Sequence, residues 1–513
     1  MKRYLTLLIL NSILGYLLFI PSQKNPGDEI SNQNGIPSSI GTKDDPRARF
    51  LQEFMMLRDP ATNEIPKNIF ILEREFAKNL PKRENLTLNK NSGSNETTAL
   101  TWTARGPNNV GGRTRALGID KRTDTPPDVT ILAGGVSGGI WRSTNDGSTW
   151  SSVTSPSQLH SVTCIVQDKG SGKEDIWYAG TGEAVGNSAS GSSVSNFRGD
   201  GIFRSTDNGL TWSIISSTAT NTPQSFDQVF DYVHNIAIDI SNTSQDEIYV
   251  AASNTIQRTT NGGTSWSTAL GSFSGSFISD VQVTTGGVVY AAISQYPGNT
   301  DKGIWRSPDG VTWTNISDGV TDFPTTQFGR ITIGIAPSDE DVVYFLIEFS
   351  NTTPATNGHQ LWKYNYISGD GSGSGGGWVN RGGNLPDEPG GSAGNDPFDT
   401  QGGYDMFVQV IPNDADFVIA ASTNLYTSTD GFATTTNYDR IGGYAGPSSY
   451  VQYTNHHPDL HTGAFLPGSN IIYYSGSDGG VHKTSNITAG TVSWTSLNNR
   501  VQYQPVLFHI IST

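Results

Sequence analysis

The sequence predicts an all-β repeat fold: a β-propeller of at least seven four-stranded blades, preceded by a short helical segment. Three observations predict it. Glycine accounts for 59 of 513 residues while charged residues make up only 15%, the profile of short strands joined by tight turns. A motif recurs in which a strand ends in Gly-Ile-Trp-Arg-Ser or a variant, a Gly-rich turn follows, and a Thr-Trp pair opens the next strand. The tryptophans Trp150, Trp212, Trp266 and Trp313 that close these motifs lie 62, 54 and 47 residues apart, a length that fits one four-stranded blade with variable loops.

From the start of the chain, residues 1–20 carry Lys2 and Arg3 ahead of an apolar run that is short for a membrane span, which reads as a secretory signal. Residues 21–46 are a polar linker. Residues 47–84 differ from the rest. Phe50, Leu51, Phe54, Met55 and Leu57, then Ile69, Ile71, Leu72, Phe76 and Leu80, follow the spacing of two amphipathic helices around an Asp59–Pro66 turn. This segment reads as a helical pro-segment or cap, and a second polar linker, residues 85–100, leads to the propeller at 101–513.

Complete copies of the motif are Gly139–Trp150, Gly201–Trp212, Ile256–Trp266 and Gly303–Trp313. Leu425–Gly431 and Val481–Asn486 are degenerate, and between them and Trp313 a copy keeps only Leu361-Trp-Lys-Tyr and Trp378. In each turn the Ser hydroxyl and Asp carboxylate can bond turn backbone groups while Gly takes a positive φ. Two apolar strands precede each motif, giving seven units that start near residues 113, 161, 233, 278, 330, 404 and 461. Thr101–Gly106 and Gln504–Ile511 read as strands of further, incomplete units, so the chain is expected to be the N-terminal part of a longer product.

The net charge of −15 and pI near 4.9 repel a phosphate backbone, which sets nucleic acid aside as a partner. The single cysteine, Cys164, permits no internal disulfide and no Cys-based zinc site; its apolar surroundings mark a small core residue. Nothing calls for a cofactor. Beyond the signal segment no membrane contact is expected.

The repeats resemble BNR or Asp-box repeats, and the run from Trp102 through Gly106-Pro-Asn-Asn-Val-Gly-Gly-Arg113 to His457-Pro-Asp-Leu-His461 and Ser477-Asp-Gly-Gly-Val481 resembles bacterial secreted proteins with sortilin-type propeller domains. The resemblance covers about residues 100–513. It implies fold more than activity, because such boxes occur in sialidases, xyloglucan-degrading glycosidases, photosystem assembly factors and sorting receptors. In that family the boxes lie on the blade periphery, so Asp207, Asp309 and Asp430 are assigned a structural role. The sialidase Arg-Ile-Pro signature is absent. Where the xyloglucan-degrading family has a base aspartate, this chain has Val136; Asp478 is similar but displaced by one residue.

The acids left for catalysis are Glu183, Asp405, Asp459 and Asp478. Arg113 and Arg330, with Arg115, start inner strands and are candidates for facing the channel, with pairing to a neighbouring carboxylate as the plainer reading. The segment Asn455-His-His-Pro-Asp-Leu-His461 holds three of eight histidines. His456 and His457 are binding candidates. His457, Asp459 and His461 alternate along the chain, so an extended backbone would aim them to one side, as a divalent metal or proton-transfer site needs; a hydrogen-bonded plug at the channel mouth explains the same residues. Two functions follow: a secreted scaffold presenting loops such as 182–200 and 369–400 to an extracellular glycan or protein without catalysis, or a glycoside hydrolase. Two carboxyl groups facing each other across a cleft at roughly 5–10 Å would favour the hydrolase.

Overall fold

The computed structural model describes residues 46–66, 69–79 and 111–498, apart from short stretches at 156–160, 187–195, 220–227, 274–277, 295–299, 327, 350–357, 389 and 391–395. The signal, most of the first linker, the second linker and the two incomplete end units lie outside the described residues. Contacts divide the chain after Ile65. Helix α1 (Pro46–Leu57) belongs to the first unit, and helix α2 (Ile69–Asn79) and all the strands to the second. Among the described residues no helix is long and apolar enough to cross a membrane.

Seven four-stranded antiparallel sheets follow one another, each with its strands in sequence order. They form the seven blades of a β-propeller. Their inner strands are Thr114–Ile119, Val162–Gln167, Val233–Ile238, Ser279–Val283, Phe328–Ile335, Phe407–Val410 and Leu460–Phe465, within three residues of the starts the repeats predict. The second strands, such as Trp177–Thr181 and Ile248–Ala252, are buried along their whole length. Sheets pack on both their faces, so these strands read as continuous apolar runs rather than alternating ones. The fourth strands are the least buried, and three of them are only two residues long, as in Ser151–Ser152.

The ring closes by packing blade 7 on blade 1. Leu117, Ile131, Trp150, Leu466, Tyr474 and Val481 share one core cluster. Trp150 Nε1 donates to the Leu497 carbonyl at 2.9 Å, and Tyr474 donates to Asp146 at 2.5 Å. Each blade thereby covers the apolar face of the next, and the ring leaves no sheet face without a neighbour.

The repeated turn joins strands three and four. In blade 2 the Gly209 amide donates to Ser205 Oγ (2.9 Å) and the Thr211 amide to Asp207 Oδ1 (2.9 Å). Blade 1 repeats this with Ser143, Asn145, Gly147 and Thr149, and blade 3 with Thr259, Asn261, Gly263 and Ser265. The Gly209 backbone sits at φ +75° and a Cβ there would meet Leu132 of blade 1 at 2.7 Å, so both conformation and packing call for glycine. In blade 4, backbone N–H groups of Thr312 and Val311 hold the Asp309 carboxyl down at about 2. These aspartates stabilise their own hairpins.

Candidate functional site

The inner strands begin, and the second strands end, on one face of the ring, and the sequence-predicted residues meet there. Arg113 precedes the inner strand of blade 1. Glu183 follows the second strand of blade 2. Asp405 and Asp459 precede the inner strands of blades 6 and 7, and Asp478 sits in the turn after the second strand of blade 7. Sequence distance hides this grouping; the ring creates it.

Two linked networks result. In the first, Glu183 lies between two guanidinium groups: Arg113 Nη2 is 3.1 Å from Oε2, and Arg115 Nε donates to Oε1. Arg113 Nη1 also donates to Tyr404 Oη at 2.6 Å, and Tyr404 donates to Asp478 at 2.7–2.8 Å. His461 Nε2 lies 2.8 Å from Asp478 Oδ1. Burial opposes ionisation of Asp478, yet the His461 hydrogen bond, the Arg113 charge and Tyr404 outweigh it and hold the carboxyl well below its usual range. His461 is pushed down to about 3 by burial and by the Arg115 charge. It is therefore neutral near pH 7, with its proton on the Nε2 that faces the carboxylate and a bare Nδ1.

The second network is acidic. Gln401 Nε2 donates to Asp459 Oδ1 (2.7 Å), Thr423 Oγ1 (2.8 Å) and Asp405 Oδ2 (3.1 Å). Asp405 is fully buried, and burial together with the Asp459 and Asp399 charges pushes its carboxyl well above the usual value. Burial and the Asp478 charge raise Asp459 to about 7. Two carboxyl groups sharing one buried site cannot both ionise cheaply, so the pair retains a proton into the neutral range. Of the four acids Asp478 has the most open side chain of those in ion pairs, 26% exposed against 1% for Glu183.

The remaining predicted residues separate. Asp459 adopts φ +61°, which breaks the extended run on which one-sided alternation of His457, Asp459 and His461 depends. The His457 ring packs against Gly479, with Nδ1 2.9 Å from the Pro458 carbonyl. Among the described residues no group of three or more His, Cys, Asp or Glu side chains is positioned to hold a metal ion. His456 is buried, accepting from the Gly443 amide at 3.0 Å and meeting Ser475 Oγ at 2.9 Å. Arg113 and Arg115 pair with a carboxylate, whereas Arg330 Nη1 donates to the Gly403 carbonyl at 3.0 Å. Cys164 is buried in the core between blades 2 and 3, and burial pushes its thiol up to about 12.

Tyr404 and Gln401 join the site without having been singled out in the sequence. A cavity of about 210 Å³ lies along the inner strands, lined by Arg115, Thr163, His234, Asp280, Arg330 and His461 among others. Thr163, His234 and Asp280 had a legible signal: each is a polar residue inside an apolar inner strand, at the offset Arg115 and His461 occupy in their own units.

Solved structures share the propeller shape. An ancestral GH74 enzyme matches with a TM-score of 0.51 at 16% identity, over 78% of this chain and 48% of that one. The GH74 enzyme of Niastella koreensis matches with a TM-score of 0.48 at 18% identity, over 76% and 55%, and YCF48 bound to D1 peptide with 0.42 at 11%, over 72% and 92%. The chain thus spans about half the length of the GH74 structures it matches, and at these identities the likeness is one of fold. No protein-family model and no curated protein matches the chain.

Proposed function

We propose that the protein is a secreted propeller scaffold of the Asp-box, sortilin-like kind, which binds an extracellular glycan or protein at the face where the inner strands begin, without cleaving it. The observation that carries this reading is the engagement of every candidate acid. Glu183 is neutralised by two arginines, Asp405 and Asp459 are tied through Gln401, and Asp478 is held by Tyr404 and His461. These bonds tie the mouth residues to one another, with Asp405 Oδ1 and His461 Nδ1 left without a hydrogen-bond partner among the described residues. Beside them stand exposed aromatic rings suited to stacking on a ligand. Phe197, 39% exposed, lies against Arg113, and Tyr450, 63% exposed, meets Tyr444 edge-on at 5.4 Å on the Tyr444–Gly446 and Ser449–Gln452 hairpin between blades 6 and 7. Export rests on the charged and apolar pattern of residues 1–20.

A second reading has one specific observation in its favour. Asp459 is raised to about 7 while its neighbour Asp478 is held ionised, and carboxyls driven apart in this way can divide acid and base roles in a glycosidase. One experiment separates the two. The purified protein is incubated with a panel of extracellular polysaccharides and peptides, and both retention on the immobilised ligand and release of reducing ends are measured. The scaffold reading expects retention without release; release that disappears in Asp459→Asn or Asp478→Asn replaces it with the hydrolase.

A further inference from the structure

Five of the seven inner strands bulge at one level of the channel. Pairing skips Arg115 in blade 1, Thr163 in blade 2, His234 in blade 3 and His461 in blade 7, and in blade 5 Gly329 and Arg330 together oppose Glu348. A bulge adds one residue and re-aims its side chain. Here each bulge contributes a polar residue to the lining of the same cavity.

The ring is not internally balanced. Arg115 is ion-paired with Glu183, and Thr163 donates to the Val233 carbonyl. Asp280 accepts from Asn235 (2.7 Å) and from the Val281 and Ile333 amides. Arg330 differs: it meets the Gly403 carbonyl, and among the described residues it is in no ion pair. Two further buried polar atoms in the lining, Thr332 Oγ1 and His461 Nδ1, have no hydrogen-bond partner among the described residues. Thr332 follows Arg330 by two residues on the same strand, and both line the cavity. Because His461 directs its Nε2 proton to Asp478, its Nδ1 is an acceptor. The cavity exceeds the room for one water by about an order of magnitude. Unmatched buried groups are rare in native proteins, and a bound molecule that completes them is one of the reasons they are kept.

We infer that the channel binds a small hydroxy acid: its carboxylate on the Arg330 guanidinium, the Thr332 hydroxyl on the same ligand, and a ligand hydroxyl donating to His461 Nδ1. Asp280, Asp405 and Glu183 act on the Arg330 guanidinium only from beyond ion-pair distance, which leaves its donors open to an anion, and a bare imidazole nitrogen calls for a donor; acetate supplies only the first and a neutral sugar only the second. The inference goes beyond capture at the mouth and does not depend on it.

Isothermal titration of the full chain with glucuronate, glycolate, acetate and glucose tests it. Glucuronate or glycolate should bind, which one separating a sugar acid from a shorter hydroxy acid, and acetate and glucose should bind about tenfold more weakly or not at all. Arg330→Gln should weaken the acid by about tenfold or more. Thr332→Val distinguishes a ligand contact from a structural one: it should weaken binding by about fivefold while the melting temperature holds or rises, since a methyl replaces a hydroxyl that bonds nothing in the protein. No heat with either hydroxy acid, equal binding of acid and neutral sugar, or unchanged affinity in Thr332→Val overturns the inference and leaves a channel filled by water only.

Discussion

The blade-edge turns and the channel mouth use the same side chains to opposite ends. At the edge, Asp207 takes its hydrogen bonds from Ser205, Leu210 and Thr211, all within four residues. At the mouth, Tyr404 accepts from Arg113, 291 residues away, and Arg115 reaches Glu183 across 68. The edge aspartates stabilise hairpins one at a time. The mouth residues tie blades 1, 2 and 7 to the loop that leads into blade 6, so damage there should be felt by the whole ring.

Glu183 gives the largest expected difference between the two regions. Glu183→Ala removes the ion-pair partner of both Arg113 and Arg115 and leaves Arg113 only the Asp478 charge beyond ion-pair distance, and loss of one partner from a buried ion pair costs about 3–5 kcal/mol. Urea unfolding should show that loss as one cooperative transition; a change under about 1 kcal/mol would mean that solvent compensates the arginines. Tyr404→Phe removes the hydroxyl that links Arg113 to Asp478 but keeps the ring stacked edge-on against His461 at 4.9 Å. It should cost about 1–3 kcal/mol by the same measurement, and a neutral result would detach Tyr404 from the network.

The acidic pair sharpens the contrast through pH. The Asp459 carboxyl lies at about 7, above the roughly 4 of an unfolded aspartate, so the folded state holds this proton more tightly. Its contribution to stability is complete below about pH 4 and is lost as pH rises through 7. Asp459→Asn cannot ionise. Relative to wild type, the variant should therefore gain stability steadily between pH 4 and 7, as followed by denaturant unfolding. A difference that stays flat across this range contradicts a raised carboxyl. At the blade edge, Ser205→Ala removes the acceptor for the Gly209 and Asp207 amides, for an expected cost of about 1 kcal/mol. A loss as large as that of Glu183→Ala would erase the distinction between local and ring-wide bonding.

The difference in sequence separation also decides what could be read in advance. Seven units and their strand starts were legible because most blades repeat one local pattern, two apolar strands, a Ser/Thr-x-Asp/Asn turn and a tryptophan, while blades 5 and 6 keep only part of it. The turn bonds followed from spacing alone. The mouth was legible only as a set of residue types at unit edges, since nothing local to Arg113 announces Tyr404, and nothing local to Asp459 announces Gln401. Alternation misled at His457–His461, where it presumes an extended chain and Asp459 turns through a positive φ. The bulges left a trace that the strands' apolar character concealed, one polar residue at a fixed offset in the inner strand. Reading the units against one another, rather than along the chain, recovers Thr163 and His234 beside Arg115, Arg330 and His461.

The central claim is that the mouth acids hold the ring together rather than act on a bound substrate, and the stability of Asp478→Asn tests it most directly. Structural and active-site carboxylates differ in the sign of this effect, because active sites carry charges that burden the fold and are often relieved by substitution. Asp478 is held by Tyr404, His461 and Arg113, so its replacement should lower the free energy of unfolding by about 2 kcal/mol or more near pH 7. An Asp478→Asn protein as stable as the wild type, or more so, would contradict the account.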